Sequence, residues 1–404
     1  MKANTNTNNL PQAEQLLAEA RAMQAELTDD RRTLHREPEV GRSLPKTVAY
    51  VKNVLTGLGY EPKELGGGVV ATLTGRDSGR CLLLRADMDA LPQREETDLP
   101  FRAENGAMHA CGHDLHAAML LGAARLLMAH RQQLNGTVKL VFQPDEEGFT
   151  GAKGMLAAGV LKDPAPQAGL ALHVHSGTPT GVVLCGRGSF MAGCTLFRVR
   201  CTGVACHGAM PETGVDPINI AAHVYLALQA LVSREVAAKS PAVVTVGHFQ
   251  AGSAPNIIPQ EAVLEGTIRT FDRTLSETLL RRIGETAQGI AAAFRGTAQV
   301  EEISSAPPLV NQPELTDWAA DRAAELTGPA RVVRLDEGGM GSEDFASYGY
   351  ELPCTYLLLG AGSKEEDPRY GRPMHNTRVV FNEDVLPLGA ALYTWCALNW
   401  LKQG

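Results

Sequence analysis

Short, nearly continuous hydrophobic runs alternate with helical stretches along much of the chain. Runs of this length without polar alternation are typical of strands buried on both faces of a parallel sheet. The clearest are CLLL, TVKLVF, GLAL and TYLLL, at residues 81–84, 137–142, 169–172 and 355–359. Residues 13–34 are predicted to form one helix, and residues 115–129, which are apolar nearly all round, a buried helix. The pattern therefore predicts an α/β fold with a mainly parallel sheet.

Residues 190–303 have a different pattern of strands and helices. The predicted order is β-α-β-β-α-β, at residues 195–201, 217–233, 242–250, 262–271, 274–294 and 298–303. This order is that of the split βαβ unit, which closes on itself as a small sandwich. The Gly-rich GRGSF before it and the Pro-rich SAPPLVNQP after it are typical of linkers. We therefore predict a larger domain formed by residues 13–188 and 305–404, with a second domain inserted at 189–304.

Composition and charge narrow the class of protein. The 404 residues include 37 Lys and Arg against 45 Asp and Glu, a net charge of −8, which argues against nucleic acid as the main partner. Apolar runs long enough to span a membrane are missing, and the polar start MKANTNTNNLPQAEQ lacks the apolar core of a signal peptide. The eight Cys form no CxxC pair, which is typical of reduced thiols. We expect a cytoplasmic protein that does not bind membranes.

Residues able to bind a metal follow each of the four predicted strands. Since ligands bind at the carboxyl ends of strands in open parallel sheets, these segments are expected to meet at one edge. They are Asp87 and Asp89; Asp145, Glu146 and Glu147; His173 and His175; and, after a loop, His375. Of the two adjacent glutamates, one can bind a metal while the other takes a proton from a metal-bound water. Asp145 is expected to lie outside the ligand set.

The segment MHACGHDLH, at 108–116, precedes the predicted buried helix. Cys111 and His113 would lie at or just before its N-terminus, where partial positive charge would lower the pKa of the thiol. A thiolate and an imidazole two residues apart can reach one metal cluster. We interpret His109 and His116 as hydrogen-bonded histidines that bind no metal.

Nine motifs in order resemble one family of enzymes, the amidohydrolase branch of the aminoacylase/carboxypeptidase metallopeptidases. This branch includes hippurate hydrolases, N-acyl-amino-acid amidohydrolases and auxin-conjugate hydrolases, and the resemblance covers about residues 30–400. The motifs are HREPEVG (35–41), RADMDALP (85–92), MHACGHDLH (108–116), QPDEEG (143–148), HGAMPETGVDPI (207–218), APNIIP (254–259), GTIRTF (266–271), GSEDFA (341–346) and MHN (374–376).

The resemblance implies a zinc-peptidase-like catalytic domain with a two-metal site, and an inserted lid domain that also forms a homodimer. The implied metal ligands are Cys111, which bridges the metals, His113, Glu147, His173 and His375. Glu146 matches the family's catalytic carboxylate, and Asp89 an acidic residue that orients a ligand histidine. Asp87 is interpreted as a structural residue of a turn. The cofactors would be two divalent ions of zinc, manganese, cobalt or nickel, among which this ligand mixture does not choose.

The lid domain would contribute three residues to substrate binding. The resemblance implies that His207 polarises the scissile carbonyl, often across the dimer, and that Asn256 and Arg269 bind substrate. Arg269 lies on the polar face of an alternating strand, and its guanidinium suits a carboxylate. His175 departs from the family, which often has Trp there. It could donate to the substrate or simply pack differently, and either role is favoured over that of a spare ligand.

The resemblance implies metal-assisted hydrolysis of the amide bond of an N-acyl amino acid, such as a hippurate-like or N-acetyl compound. Glu146 would take the proton of a metal-activated water and pass it to the departing amine. Hydrolysis of short peptides, as by a dipeptidase or carboxypeptidase, is an alternative. Two further alternatives are a thiol hydrolase with Cys111 as nucleophile and a small-molecule binder that kept the fold.

Overall fold

The computed structural model describes residues 11–77 and 79–402. The chain divides into two compact units. The large unit comprises Met1–Phe190, Val310–Glu337 and Ser347–Gly404, and the small unit comprises Met191–Leu309 and Gly338–Ala346.

The strands, numbered in chain order, have these bounds: β1 Lys63–Leu65, β2 Gly68–Thr74, β3 Arg80–Asp87, β4 Gly136–Gln143, β5 Ala168–His175, β6 Val183–Cys185, β7 Gly188–Met191, β8 Gly193–Thr202, β9 Cys206–His207, β10 Ala242–Ala251, β11 Ile257–Ile258, β12 Glu261–Thr270, β13 Thr297–Ala306, β14 Leu309–Asn311, β15 Val332–Arg334 and β16 Cys354–Gly360. The α-helices are α1 Ala13–Ala22, α2 Gln24–Arg36, α3 Pro45–Gly57, α4 His113–Ala129, α5 Gly151–Ala157, α6 Pro217–Glu235, α7 Arg273–Ala293, α8 Pro313–Thr327, α9 Ala346–Gly349 and α10 Leu386–Leu401.

The sheet of the large unit is mainly parallel, as predicted. Within the described ranges it has eight strands in the order β1-β2-β4-β3-β5-β16-β6-β15. The central strands β4, β3, β5 and β16 are parallel neighbours, and each contains one of the hydrophobic runs. Their last residues, Gln143, Asp87, His175 and Gly360, therefore lie along one edge of the sheet.

Helices α2, α4 and α10 pack together in the core of the large unit. The predicted helix at 115–129 is confirmed as α4, and nearly all of its residues are buried. The single helix predicted at 13–34 is wrong, because the chain forms α1 and α2 with a break at Met23. Met23 leaves helical geometry at ψ 7° while its N–H still bonds to the carbonyl of Ala20.

The small unit has the predicted β-α-β-β-α-β order. Its antiparallel sheet runs β10-β12-β8-β13, and α6 and α7 cover the face that carries Phe197, Val199 and Cys201. Asp216 caps α6 through the N–H groups of Ile218 and Asn219, and Asp272 caps α7. Both are favourable N-cap residues.

None of the helices in the described ranges is both long enough and apolar enough to cross a membrane.

Gly122 allows helices α2 and α10 to pack closely against α4, and its substitution tests this packing. A Cβ at this position of α4 would lie 2.6 Å from Leu27 Cδ2 on α2 and 2.8 Å from Ala390 Cβ on α10. Gly122→Ala should therefore destabilise the protein by ~1–3 kcal/mol, although Ala normally favours a helix by about 1 kcal/mol. Denaturant unfolding measures the change.

Gly289 of α7 is the matched control, because a Cβ there meets no atom within 4 Å. Gly289→Ala should be neutral or stabilising. If Gly122→Ala stabilises the protein as much, then the described packing of α2, α4 and α10 is incorrect.

Candidate metal centre

Gly112 turns the chain between two of the predicted ligands. It is the N-cap of α4, with a left-handed φ of 89°, and a Cβ there would collide with the side chain of Val174. Glycine adopts this left-handed conformation readily, and it has no Cβ to collide with Val174. Cys111 therefore immediately precedes the N-cap and His113 begins the helix, which confirms the predicted location of both.

The structure brings together the donor atoms of all five predicted metal ligands. Those of Cys111, His113 and His173 lie within 4.8 Å of one another, and so do those of Cys111, Glu147 and His375. The two groups share the sulfur of Cys111. His113, Glu146 and Glu147 form a further group that overlaps both.

Hydrogen bonds orient two of the histidines. Nδ1 of His113 lies 2.9 Å from the carbonyl oxygen of Asp89, and Nδ1 of His173 lies 2.6 Å from that of Val174. Since a carbonyl only accepts, each Nδ1 carries a proton and donates it, so Nε2 is the atom available for a metal. His173 Nε2 is 3.4 Å from Cys111 Sγ. His113 Nε2 is buried without a hydrogen-bond partner among the described residues. Metal-binding histidines are commonly fixed in this way.

The site is rich in buried negative charge. Burial disfavours the charged form of His113, but Asp87, Cys111 and Asp89 outweigh it and hold its pKa well above the ordinary value. Hydrogen bonds with Cys111 and Glu147 raise the pKa of His375 to about 10. Burial lowers the pKa of His173, which keeps it neutral. Protons on His113 and His375 therefore balance part of the buried negative charge, a role that divalent cations could also fill. The unpartnered Nε2 of His113 is suited to bind a metal.

The expected lowering of the Cys111 pKa is wrong. Burial raises the pKa of this thiol, and nearby Glu147 adds to the effect. The partial charge of the helix N-terminus is too small to offset the loss of water around the thiolate. A bound cation would be needed to favour the deprotonated sulfur.

Asp89 fixes the backbone of both adjacent glutamates. Its Oδ1 accepts the N–H of Glu146 at 3.0 Å, and its Oδ2 accepts that of Glu147 at 3.2 Å. Glu147 Oε1 lies 3.3 Å from His375 Nε2, whereas Glu146 Oε2 lies 3.9 Å from His113 Nε2. Glu147 thus contacts His375, while both glutamates lie near His113. The different roles predicted for the two carboxylates stay predictions.

His116 is fully hydrogen-bonded, as we interpreted it from the sequence. Its Nε2 accepts the N–H of Val174 at 2.8 Å, so its Nδ1 holds the proton and donates to Asp87 at 2.5 Å. Asp87 also pairs with Arg85 at 2.5 Å. Both ring nitrogens of His116 are thus occupied, which disfavours a metal at the group formed by Asp87, His113 and His116.

His109 does not fit the prediction of a hydrogen-bonded histidine. Neither of its ring nitrogens has a hydrogen-bond partner within the described ranges. Burial lowers its pKa to about 3, so the ring is neutral. No local sequence pattern indicates this, because the surroundings of a buried ring are set by distant segments.

Asp145 and His175 lie outside the groups of donor atoms found among the described residues. Asp145 has a positive φ of 54° and accepts the hydroxyl of Thr150. His175 Nδ1 lies 2.8 Å from the hydroxyl of Thr178, and burial lowers the pKa of the ring.

The remaining predicted residues lie in the small unit. His207 of β9 pairs with Ile257 of β11, next to Asn256, whose carbonyl accepts the N–H of Gly208. Arg269 lies on β12, and its guanidinium donates to Ser342 Oγ at 2.6 Å and to the Met340 carbonyl at 3.1 Å. It forms no ion pair with a carboxylate in the part of the chain that the structure describes.

Comparisons with known proteins support the resemblance drawn from the motifs. A Bacillus subtilis protein, described as a dinuclear metal binding peptidase of the M20 family, has a crystal structure that matches with a TM-score of 0.77. It is 30% identical, and the match covers 95% of this chain and 99% of that one. This likeness confirms the α/β fold.

Sequence relatives are named for two kinds of activity. Thermostable carboxypeptidase 1 of Saccharolobus solfataricus is 34% identical over 396 residues, which cover 96% of this chain and 98% of that protein. An N-acetyl-L-cysteine deacetylase of Bacillus subtilis is 37% identical over 342 residues, which cover 84% and 81%. The prediction of a hydrolytic enzyme is thereby confirmed.

Residues 83–399 match the family model for peptidase family M20/M25/M40. The chain therefore belongs to this family of metal-dependent amidohydrolases and peptidases.

Proposed function

We propose that the protein hydrolyses the amide bond of N-acyl amino acids, releasing a carboxylic acid and a free amino acid. The observation that carries this proposal is the pair of three-residue donor groups that share Cys111, with the carboxylate of Glu146 beside them. A single metal would not need two groups, and a purely structural site would not need an additional carboxylate.

Two divalent metal ions would be held by these groups. Cys111, His113 and His173 would hold one, and Cys111, Glu147 and His375 the other. When bound, such ions lower the pKa of a water and polarise the carbonyl. Zinc, manganese, cobalt and nickel all suit this mixture of imidazole, carboxylate and thiolate ligands.

Glu146 would move the proton in this reaction. As the water oxygen bonds to the carbonyl carbon, Glu146 takes a proton from it. As the C–N bond breaks, Glu146 gives that proton to the amine nitrogen. Asp89 supports the role by fixing the Glu146 backbone and by presenting its carbonyl to His113.

The small unit would bind the substrate. We assign the carboxylate of the amino-acid half to Arg269, because this guanidinium contacts only uncharged groups among the described residues. His207 would donate to the scissile carbonyl, with Asn256 next to it as a further polar contact.

Hydrolysis of short peptides is the second candidate. The carboxypeptidase relative favours it and the deacetylase relative favours N-acyl amino acids, and both substrate classes end in a free carboxylate. A thiol hydrolase is disfavoured because Cys111 is buried and its thiol has a raised pKa.

Glu146→Gln should keep two equivalents of metal and lose ~10²–10⁴-fold in turnover, since general acid–base catalysis contributes about this much. The assay is amine release from N-acetyl and N-benzoyl amino acids and from dipeptides, together with metal analysis. Glu147→Gln is the contrasting variant, because it should lose metal along with activity.

Chelation should stop the wild-type enzyme, and added manganese, zinc, cobalt or nickel should restore its activity. Activity that survives chelation but not thiol alkylation would make Cys111 the nucleophile instead.

Arg269→Gln should lower kcat/KM for N-acyl amino acids by ~10–100-fold, the effect of losing a charged hydrogen bond. An analogue whose carboxylate is replaced by an amide should be hydrolysed equally by both enzymes. Arg198→Gln on β8 is the control, since that guanidinium already pairs with Glu265 and Glu301. Equal losses on both substrates would exclude carboxylate recognition by Arg269.

We also propose a homodimer formed through the small unit. Strand β10 is at one edge of its sheet, so its outer backbone groups can pair with a second copy. Val243 and Phe249 on β10 are exposed hydrophobic residues at this edge, and Leu226 is an exposed hydrophobic residue of α6, which packs against β10.

Leu226→Arg should convert the dimer to a monomer, because this side chain, 64% exposed, would bring a charge into an apolar contact. Light scattering after size-exclusion chromatography gives the mass. Ile303→Arg is the matched control, on β13 at the opposite edge and 44% exposed, and should leave the dimer intact. A monomeric wild-type protein would disprove the proposal.

A further inference from the structure

A buried group of charged residues lies directly behind the metal ligands. Arg31 and His35, one turn apart on α2, both contact Asp114, which follows His113 in the first turn of α4. Arg31 Nε lies 2.7 Å and His35 Nδ1 2.8 Å from Asp114 Oδ2. These three residues and Glu95 are each no more than 5% exposed.

Glu95 connects this group to the loop that carries Cys111. His35 Nε2 lies 3.1 and 3.2 Å from its two carboxylate oxygens. Glu95 also accepts the hydroxyl of Thr97 and the N–H of Ala103, at 2.7 Å for the latter. Phe101, from the same loop, packs edge-on against the His35 ring at a centroid distance of 5.3 Å. The loop between β3 and α4 is thus fastened to α2 at several points.

His35 joins the two carboxylates. Since a carboxylate only accepts, both ring nitrogens must donate, so His35 carries a positive charge, and its pKa is raised despite burial. His35 thus brings a positive charge to both Asp114 and Glu95. Arg31 pairs with Asp114 and also with Glu383, 3.1 Å away. A neutral side chain at position 35 would leave Asp114 with Arg31 alone and would remove the cation that pairs with Glu95 in the described part of the chain, which is strongly unfavourable for buried carboxylates.

We propose that His35 is a positioning residue of the metal site, which holds Cys111 and His113 in their binding arrangement by clamping the ligand loop to the first turn of α4. The inference rests on the proposed two-metal site. His35 itself contacts neither metal nor substrate. It acts through Asp114, the neighbour of His113, and through Glu95, which lies on the same loop as Cys111.

The test measures cobalt binding to His35→Gln. Metal-free protein is titrated with Co²⁺ against a competing chelator, and the thiolate-to-cobalt absorption band is recorded. We expect the affinity for at least one of the two ions to fall ~10–100-fold, as for other residues that support metal ligands. We also expect the band to change, because the position of the Cys111 sulfur changes.

His130→Gln is the matched control. His130 also pairs with a carboxylate, at 2.6 Å from Glu19, and bonds to Gln133, but it lies at the opposite end of α4, ~25 Å away along the helix axis. The His130→Gln variant should keep wild-type affinity for cobalt.

Glu95→Gln is the second variant if His35→Gln does not fold. It keeps the shape of the side chain but removes one charge, and should weaken cobalt binding in the same direction.

The outcomes separate the two proposals. A wild-type protein that binds two cobalt ions and a folded His35→Gln variant with the same affinity and spectrum would overturn the positioning role alone, even if the variant melts at a lower temperature. A wild-type protein that fails to bind two ions would overturn the two-metal proposal first, and this inference with it.

Discussion

Negative charge buried at the carboxyl ends of the neighbouring parallel strands β3 and β4 is the constraint on which the large unit depends. Asp87, Asp89, Glu146 and Glu147 meet beside the thiol of Cys111, where water is largely excluded. Burying anions without compensation is costly. The protein supplies part of the compensation through Arg85 and the protonated histidines, and the arrangement of the remaining donors suits divalent cations.

The surrounding fold keeps these groups in place with backbone as well as side chains. Asp89 accepts the N–H groups of Glu146 and Glu147, and the carbonyls of Asp89 and Val174 orient two histidines. Backbone atoms are positioned by the sheet and by α4, so the geometry of the site follows from the register of the strands. A metal centre built in this way has little freedom to rearrange when an ion is exchanged.

Most of the fold could be predicted because the central strands are buried on both faces and therefore have unmistakable hydrophobic runs. The order of elements in the small unit was equally predictable from the distinct strand and helix segments at 195–303. The break at Met23 was not predictable, since no Gly or Pro marks it. The ligand candidates followed from their location after strands and from the family motifs.

Properties that depend on burial could not be predicted from the sequence. The direction of the Cys111 pKa shift depends on how completely the thiol loses water, and the unpartnered His109 depends on segments that are distant along the chain. The contact between His35 and Glu95 joins residues 60 positions apart, so no local pattern indicates it.

The place of β16 in the sheet also determines when the sheet of the large unit can be completed during synthesis. This strand lies between β5 and β6 in the sheet, where Cys354 pairs with Gly169 of β5. Along the chain, however, all four strands of the small unit's sheet come after β5 and before β16. Strand β5, which carries His173, therefore leaves the ribosome long before its neighbour β16 has been synthesised. The small unit's sheet can form while the edge of β5 is still open. His375 is the last of the five donors to be made, so a complete set of metal ligands exists only after the small unit's sheet has been synthesised.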